Sequence, residues 1–416
     1  MLHDIMPGTE ELLNKGMVAG YIGFDPTADS LRVGSLAQIM TLIHFQRAGH
    51  KPFALVGGAT GMVGDPSGKS VERNLLSEEV LQHNLEGIKS QLEKFLDFDC
   101  GANSAQMVNN YDWFKNYNFL EFIRDVGKHI TVNYMMAKDS VKNRLSGDTG
   151  MSFTEFSYQL VQGYDFYYLW KNHNCSLQMG GSDQWGNIVT GTELIRRKDG
   201  GEAFAITTQL IKKSDGTKFG KTEGGNIWLD AEKTSSYKFY QFWLNTSDDD
   251  AKTYVRIFTL FDKQTIESIE VEQDNAPHLR ILQKALAKDI TIRVHGEAEY
   301  EKAVKSSEFL FGSTGIAFLN ELSDAEVLGL FDGVPSFVVN AEIIKQGVNV
   351  TDLLAVHSSV FSSKGEAKKM IQAGGASVNK EKVPSVDAVY NVANLVNGKY
   401  FVAQKGKKNY FLIIAQ

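Results

Sequence analysis

The segment from Tyr21 to Ser35 constrains this chain more than any other stretch of it. It reads as a strand, Tyr21-Ile22-Gly23-Phe24, then a turn through Asp25-Pro26-Thr27, then a helix with Val33, Leu36, Met40 and Ile43 at helical spacing. Asp29 or Ser30 is the expected cap, and Gly49 the expected end before a second apolar strand, Phe53 to Val56. Strand, helix and strand in this order form a βαβ unit, which requires a parallel sheet. At such a turn the helix N-terminus offers free backbone NH groups and a favourable dipole to an anion. Gly23 permits a close backbone approach, and Thr27 and Arg32 bring donors to the same corner. Most βα turns with a capping acid bind nothing, so an anion site needs further support.

The remaining composition narrows the class. At 416 residues the chain outgrows a single core and suits roughly two to four domains. Its two cysteines, Cys100 and Cys175, can build neither a disulfide framework nor a cysteine zinc site. Met1-Leu2-His3-Asp4-Ile5 has no apolar run of the signal-peptide kind, no later stretch approaches membrane-spanning length, and a reducing cytoplasm is the expected compartment. Residues 1–220 alternate apolar strands and helical stretches, with Leu177 to Gly181 and Phe204 to Gln209 as later strands, so the expected fold class is α/β, a doubly wound parallel sheet. Residues 101–150 look like an insertion. From Ser235 to about Leu310 the pattern is helical, including Leu279 to His295, and 311–348 reads as a linker.

The charge is unevenly spread. From Lys364 onward there are nine lysines against three acids, although the whole chain carries −7. A basic end on an acidic body suggests a polyanionic partner, against the plainer reading of a solvated charged face. Ser363 to Ala373 is an amphipathic helix stopped by Gly374-Gly375 and followed by a short strand. Gly64-Asp65-Pro66-Ser67-Gly68-Lys69-Ser70 ends like a P-loop, but its first glycine would fall on Val63, and Pro66 lacks a needed NH, so it is not one.

Read together, the first segment and Lys218-Phe219-Gly220-Lys221-Thr222 resemble the bacterial tyrosyl-tRNA synthetases, a family of class I enzymes. The family's mobile signature, Lys-Met-Ser-Lys-Ser or Lys-Phe-Gly-Lys-Thr, is complete here. Its His-Ile-Gly-His signature is replaced by Arg32-Val33-Gly34-Ser35. The resemblance extends over nearly the whole chain, through Val56-Gly57-Gly58-Ala59-Thr60-Gly61, Phe153 to Tyr158, Gly163 to Phe166 and Gly180 to Asn187. It implies a Rossmann-like catalytic domain at 1–220, the mobile loop and a helical anticodon-stem domain at 221–310, a linker at 311–348, and a small α+β RNA-binding domain at 349–416 of a kind shared with a ribosomal small-subunit protein.

The implied activity is ligation of tyrosine to tRNA(Tyr) with ATP, in a homodimer. The resemblance places Tyr21 and Asp165 at the phenol, Tyr158, Gln162 and Asp65 at the ammonium, and Asn110, Gln178 and Gln184 along the rest of the tyrosine pocket. Tyr158, Gln162 and Asp165 recur at i, i+4 and i+7, so one helix face carries them. ATP would meet Gly23, Asp25, Gly34, Gly181 and Asp183. Thr27, Arg32, Ser35, Lys69, Arg73, Lys218, Lys221 and Thr222 would act on the phosphates, with Mg²⁺ carried by the phosphates and no dedicated protein metal site. Lys364, Lys368, Lys369, Lys405, Lys407 and Lys408 would grip RNA phosphates.

Arginine is longer than histidine and always charged, and serine is shorter, so neither sets a donor where the family's histidines do. Two readings stay open: an active ligase with an altered phosphate contact, and a chain that binds tyrosine, ATP or RNA but activates poorly. A nucleotidylyltransferase of similar fold is disfavoured by the tyrosine pocket and the C-terminal pattern.

Overall fold

The computed structural model describes residues 1–65, 76–146, 150–217, 219–222, 225–311, 315–332, 334–406 and 409–416. They form two compact units, one of residues 1–234 and 244–294, the other of residues 235–243 and 295–416.

The first unit is built on a six-stranded sheet. Its strands are β1 (Leu2–Ile5), β2 (Ala19–Phe24), β3 (Lys51–Val56), β4 (Gln106–Asn109), β5 (Cys175–Gly181) and β6 (Phe204–Thr208), in the order β1-β6-β5-β2-β3-β4. All neighbours are parallel except β1, which runs antiparallel to β6. From β2 the chain winds outward through β3 to β4, then returns to β5 on the other side of β2. The carboxyl ends of β2 and β5 therefore meet where the winding direction reverses, the place at which such sheets bind ligands. Pro52 to Val56 are all buried, as expected of a strand covered by helices on both faces.

The expected βαβ unit is present, with its helix set later than the cap residues imply. A 3₁₀ turn, Val33–Ser35, precedes the helix Leu36–Arg47, and no side chain caps either. Asp29 and Ser30 are engaged elsewhere: Asp29 with Lys233, and the Ser30 hydroxyl with the Leu31 carbonyl and the Gln91 amide. Gly49, at φ 90°, turns the chain as expected toward β3. The 101–150 stretch is more than an insertion, since Gln106–Asn109 completes the sheet as its edge strand. Its residues are only half-buried, so the apolar signal of a covered strand is missing.

The helical stretch is shared between the units: Asp248–Phe258 and Lys263–Asn275 belong to the first, Glu297–Phe311 to the second. In the second unit a five-stranded sheet runs in the order Glu381–Lys382, Ala376–Val378, Tyr400–Lys405, Asn409–Ala415, Ser336–Val339. The edge strand Ser336–Val339 lies inside the stretch expected as a linker, paired in parallel with Leu412–Ala415. Side chains alternate along Tyr400–Lys405, so Phe401 and Ala403 join one core with Val339, Ile344 and Leu353, while Tyr400 and Val402 join another with Phe309, Phe318 and Leu330. Both faces need cover, and residues 315–350 supply part of each. Among the described residues no helix is long and apolar enough to cross a membrane.

Candidate active site

A cavity of about 340 Å³ opens at the carboxyl ends of β2 and β5. Tyr21, Gly23, Asp25, Thr27, Gly34, Ser35, Asp65, Tyr158, Gln162, Asp165, Gln178, Gly181, Asp183 and Gln184, all expected from the sequence, line it. The lining grades from buried Tyr21, Asp165 and Gln178 to exposed Gly23, Thr27 and Gly34. The helix Phe153–His173 supplies Tyr158, Gln162 and Asp165 from one face, started by a capping box in which Ser152 and Glu155 bond reciprocally.

At the buried end Asp165 is only 1% exposed. Its Oδ1 accepts from Trp113 Nε1 at 2.9 Å and its Oδ2 from Asn110 Nδ2 at 3.0 Å. Burial pushes its carboxyl up to about 8, against those two hydrogen bonds, which favour the charged form. Asn110 therefore does not line the cavity; it stands behind, with its Oδ1 accepting from Ala59 N at 2.6 Å. The Tyr21 hydroxyl, Gln162 Oε1 and Gln178 Oε1 are buried without a hydrogen-bond partner among the described residues. Burial also holds the Tyr21 and Tyr158 phenols well above their ordinary range, so both stay protonated donors.

Midway along, Asp25 Oδ2 accepts from the Tyr158 hydroxyl at 3.0 Å and Oδ1 from the Thr60 hydroxyl at 2.8 Å. Only glycine fits beside them, because a Cβ on Gly57 would stand 2.2 Å from Thr60 Oγ1 and 2.4 Å from Asp25 Oδ1. Asp65 Oδ2 accepts from Gln184 Nε2 at 2.9 Å. A Cβ on Gly181 would lie 2.6 Å from Asp183 Oδ1, so that glycine lets the carboxylate turn back over the strand end.

Some of the expected residues are not brought to this cavity. Arg32 is absent from its lining; its guanidinium lies 4.5 Å over the Trp228 ring centre. Lys69, Arg73 and Lys218 lie outside the described residues, and Lys221 and Thr222 are described by backbone alone, as a short strand paired with Gly225–Asn226. Phe219 of the same motif is buried, its ring 5.0 Å from Tyr254 and 5.3 Å from Phe258 of the helix Asp248–Phe258.

Residues that sequence reasoning passed over hold the site in shape. From the helix Glu78–Leu92, Asn84 Nδ2 donates to Pro26 O at 2.9 Å, Gln91 Oε1 accepts from Leu31 N at 2.8 Å, and Gln91 Nε2 donates to Ser30 Oγ at 2.9 Å. Gly87 lies against the same loop, where a Cβ would meet Asp29 O at 2.0 Å. The available signal was two amides, Asn84 and Gln91, set among the apolar positions Leu81, Leu85, Ile88 and Leu92 of one helix. Trp113 and Thr60 carried none, since each is recognisable only by the carboxylate it meets.

Of the C-terminal lysines, Lys364 pairs with Asp352 and Lys405 with Glu366, while Lys368 and Lys369 are exposed on the helix Lys364–Gln372. Lys407 and Lys408 lie outside the described residues.

The family described as tRNA synthetases class I (W and Y) matches residues 13–312, and that described as tyrosine–tRNA ligase C-terminal domain matches residues 326–413. A tyrosine–tRNA ligase of Cytophaga hutchinsonii is 62% identical over 415 residues, 99% of this chain and 96% of its own length. One from Bacteroides thetaiotaomicron is 60% identical over 419 residues, covering 100% and 97%. Among solved structures, a C-terminally truncated mitochondrial tyrosyl-tRNA synthetase of Aspergillus nidulans superposes with a TM-score of 0.67 at 31% identity, over 75% of this chain and 91% of that one.

Proposed function

We infer the reaction from one premise, that this chain belongs to the class I tRNA synthetases of the tryptophan and tyrosine family: it activates L-tyrosine with ATP and passes the tyrosyl group to tRNA(Tyr). Its close relatives over the full length are tyrosine–tRNA ligases. The observation that carries the choice of tyrosine is the buried end of the cavity, where the Tyr21 hydroxyl has no partner among the described residues and the Asp165 carboxyl is aimed by Asn110 and Trp113. A phenol satisfies both, donating to Asp165 and accepting from Tyr21. Phenylalanine would leave the buried Tyr21 hydroxyl unpaired and offer no donor to Asp165, a large penalty. Tyrosyl enzymes are themselves the established example of such discrimination, at roughly 10⁵, a magnitude that belongs to the family and is not read from this cavity.

In this reading Asp65, Tyr158 and Gln162 take the ammonium, Gln178 and Gln184 flank the chain, and Asn110 positions Asp165. Gly23, Asp25, Gly34, Gly181 and Asp183 receive the nucleotide, with the ribose hydroxyls on Asp183. The tyrosine carboxylate oxygen attacks the α-phosphorus in line, a P–O bond forms, and the bridging P–O bond breaks with its electron pair leaving on pyrophosphate. No proton moves and no enzyme group is modified, so the chain acts by positioning and by charge. Thr27, Ser35, Lys69, Arg73, Lys218, Lys221 and Thr222 stabilise the charge gathering on the departing pyrophosphate, and Mg²⁺ enters on the phosphates as part of the substrate. A hydroxyl of the terminal tRNA ribose then attacks the activated carbonyl, releasing AMP.

The proposed division of labour puts activation in 1–220, the mobile loop and stem contact in 221–310, and RNA binding by the lysines of 349–416, in a cytoplasmic homodimer. Exposed Phe119, Leu120, Ile123, Val132 and Phe153, on helices around residues 119–153, offer the apolar surface that a second copy would cover. The test is exchange of labelled pyrophosphate into ATP. It should require tyrosine and ignore phenylalanine; exchange with neither, or with both alike, rejects the assignment.

A further inference from the structure

Arg32 stands where the family carries its first signature histidine, and the structure turns it to another partner. Its guanidinium lies 4.5 Å over the Trp228 ring centre. Trp228 follows the second signature, and the backbone on either side of it is tied to the first. Arg32 and Trp228 form an antiparallel bridge, Val33 N donates to Ile227 O at 3.0 Å, and Leu229 N donates to Leu31 O at 2.9 Å. Asp230 N donates to Ser30 Oγ at 3.3 Å. Lys233 Nζ lies 5.7 Å from the same indole centre and 2.9 Å from Asp29 Oδ1. One indole thus gathers a cation from each segment. Gly220, within the second signature at φ 80°, sits so close to the first that a Cβ would meet Val33 Cγ2 at 2.9 Å.

We propose that Arg32 is a positioning residue, not a phosphate ligand: its guanidinium on Trp228 clasps the segment 227–234 to the loop 29–33 and so fixes where the second signature stands relative to the nucleotide. The side chain suits this role because a guanidinium is planar, permanently charged and weakly hydrated, so it stacks on an indole face at any pH, whereas an imidazole is mostly neutral at pH 7. Ser35, which does line the cavity, is left as the nearer donor of the altered motif. The consequence for rate rests on the ligase reading above, and the clasp itself does not.

Hydrogen exchange on the ligand-free protein tests the clasp without any activity. Arg32→Ala and Trp228→Leu should each speed amide exchange across 225–234 by about fivefold, the loss of roughly one exposed cation–π contact. The double variant should exchange no faster than the faster single one, and Trp228→Phe and Arg32→Lys, which keep a ring and a cation, should fall between. In single-turnover adenylate formation the two single variants should slow the step to a similar degree, non-additively, with tyrosine affinity unchanged. Unchanged exchange in Arg32→Ala, or a slowed step in Arg32→Ala beside an unaffected Trp228→Leu, overturns the proposal and returns Arg32 to the phosphates. An unsubstituted protein that forms no adenylate rejects the ligase reading, while the exchange result still decides the clasp.

Discussion

At Asp165 two forces oppose each other, and their balance is measurable. Burial drives the carboxyl from its ordinary 3.8 up to about 8, while donors on Asn110 and Trp113 pull toward the charged form. The folded protein therefore holds this proton more tightly than the unfolded chain does. The stability it confers is full below about pH 4 and is lost as pH rises through about 8. Asp165→Ala should flatten that part of the melting profile of the ligand-free protein, seen as a smaller fall in melting temperature across the window. The same variant should weaken tyrosine binding by at least tenfold, about 1.4 kcal/mol, because the phenol loses its buried hydrogen-bond acceptor. Calorimetry on the folded variant reads the second effect, and unchanged affinity would remove Asp165 from the pocket.

Among elements, the helix Glu78–Leu92 does the least obvious work. It holds the 26–31 loop by that loop's own backbone, through Asn84 and Gln91. That loop carries Thr27 to the rim. Asn84→Ala and Gln91→Ala each strand a buried backbone group, so each should cost about 1–2 kcal/mol of stability in urea unfolding. Both should also slow adenylate formation in stopped-flow measurements with tyrosine affinity intact, since the far end of the cavity is held by other elements. An equal loss of tyrosine binding would show that the helix supports the whole cavity and not the loop alone.

Over the whole molecule, charge and core impose different boundaries. The basic end begins near Lys364, yet Tyr400, Val402 and Leu412 share a core with Phe309, Phe318 and Leu322. Removing residues 349–416 would open that core, so a truncation there cannot isolate RNA binding from folding. Charge reversal on the surface can. Lys368→Glu with Lys369→Glu should leave the melting temperature and adenylate formation unchanged while weakening tRNA binding, with a log–log salt slope shallower by about one to two. Filter binding across a salt series measures this, and an unchanged slope would place the RNA contact elsewhere.

Much of this protein is legible in its sequence. The βαβ order, the Gly49 turn, the strand ending at Gly181, the strand beginning at Phe204, and the face formed by Tyr158, Gln162 and Asp165 all follow from spacing within one or two elements, where period and glycine placement act locally. The family is legible for the same reason, as its motifs are continuous. Tertiary structure alone decided the rest. Trp113 meets Asp165 across 52 residues and Leu31 meets Gln91 across 60, contacts that no periodicity announces. Ser336–Val339 became a strand because Leu412–Ala415 needed an edge partner and both faces of that sheet needed cover. The sequence showed Arg32 only as a cation at a βα turn, and the fold, by bringing Trp228 beside it, decided what its charge would face.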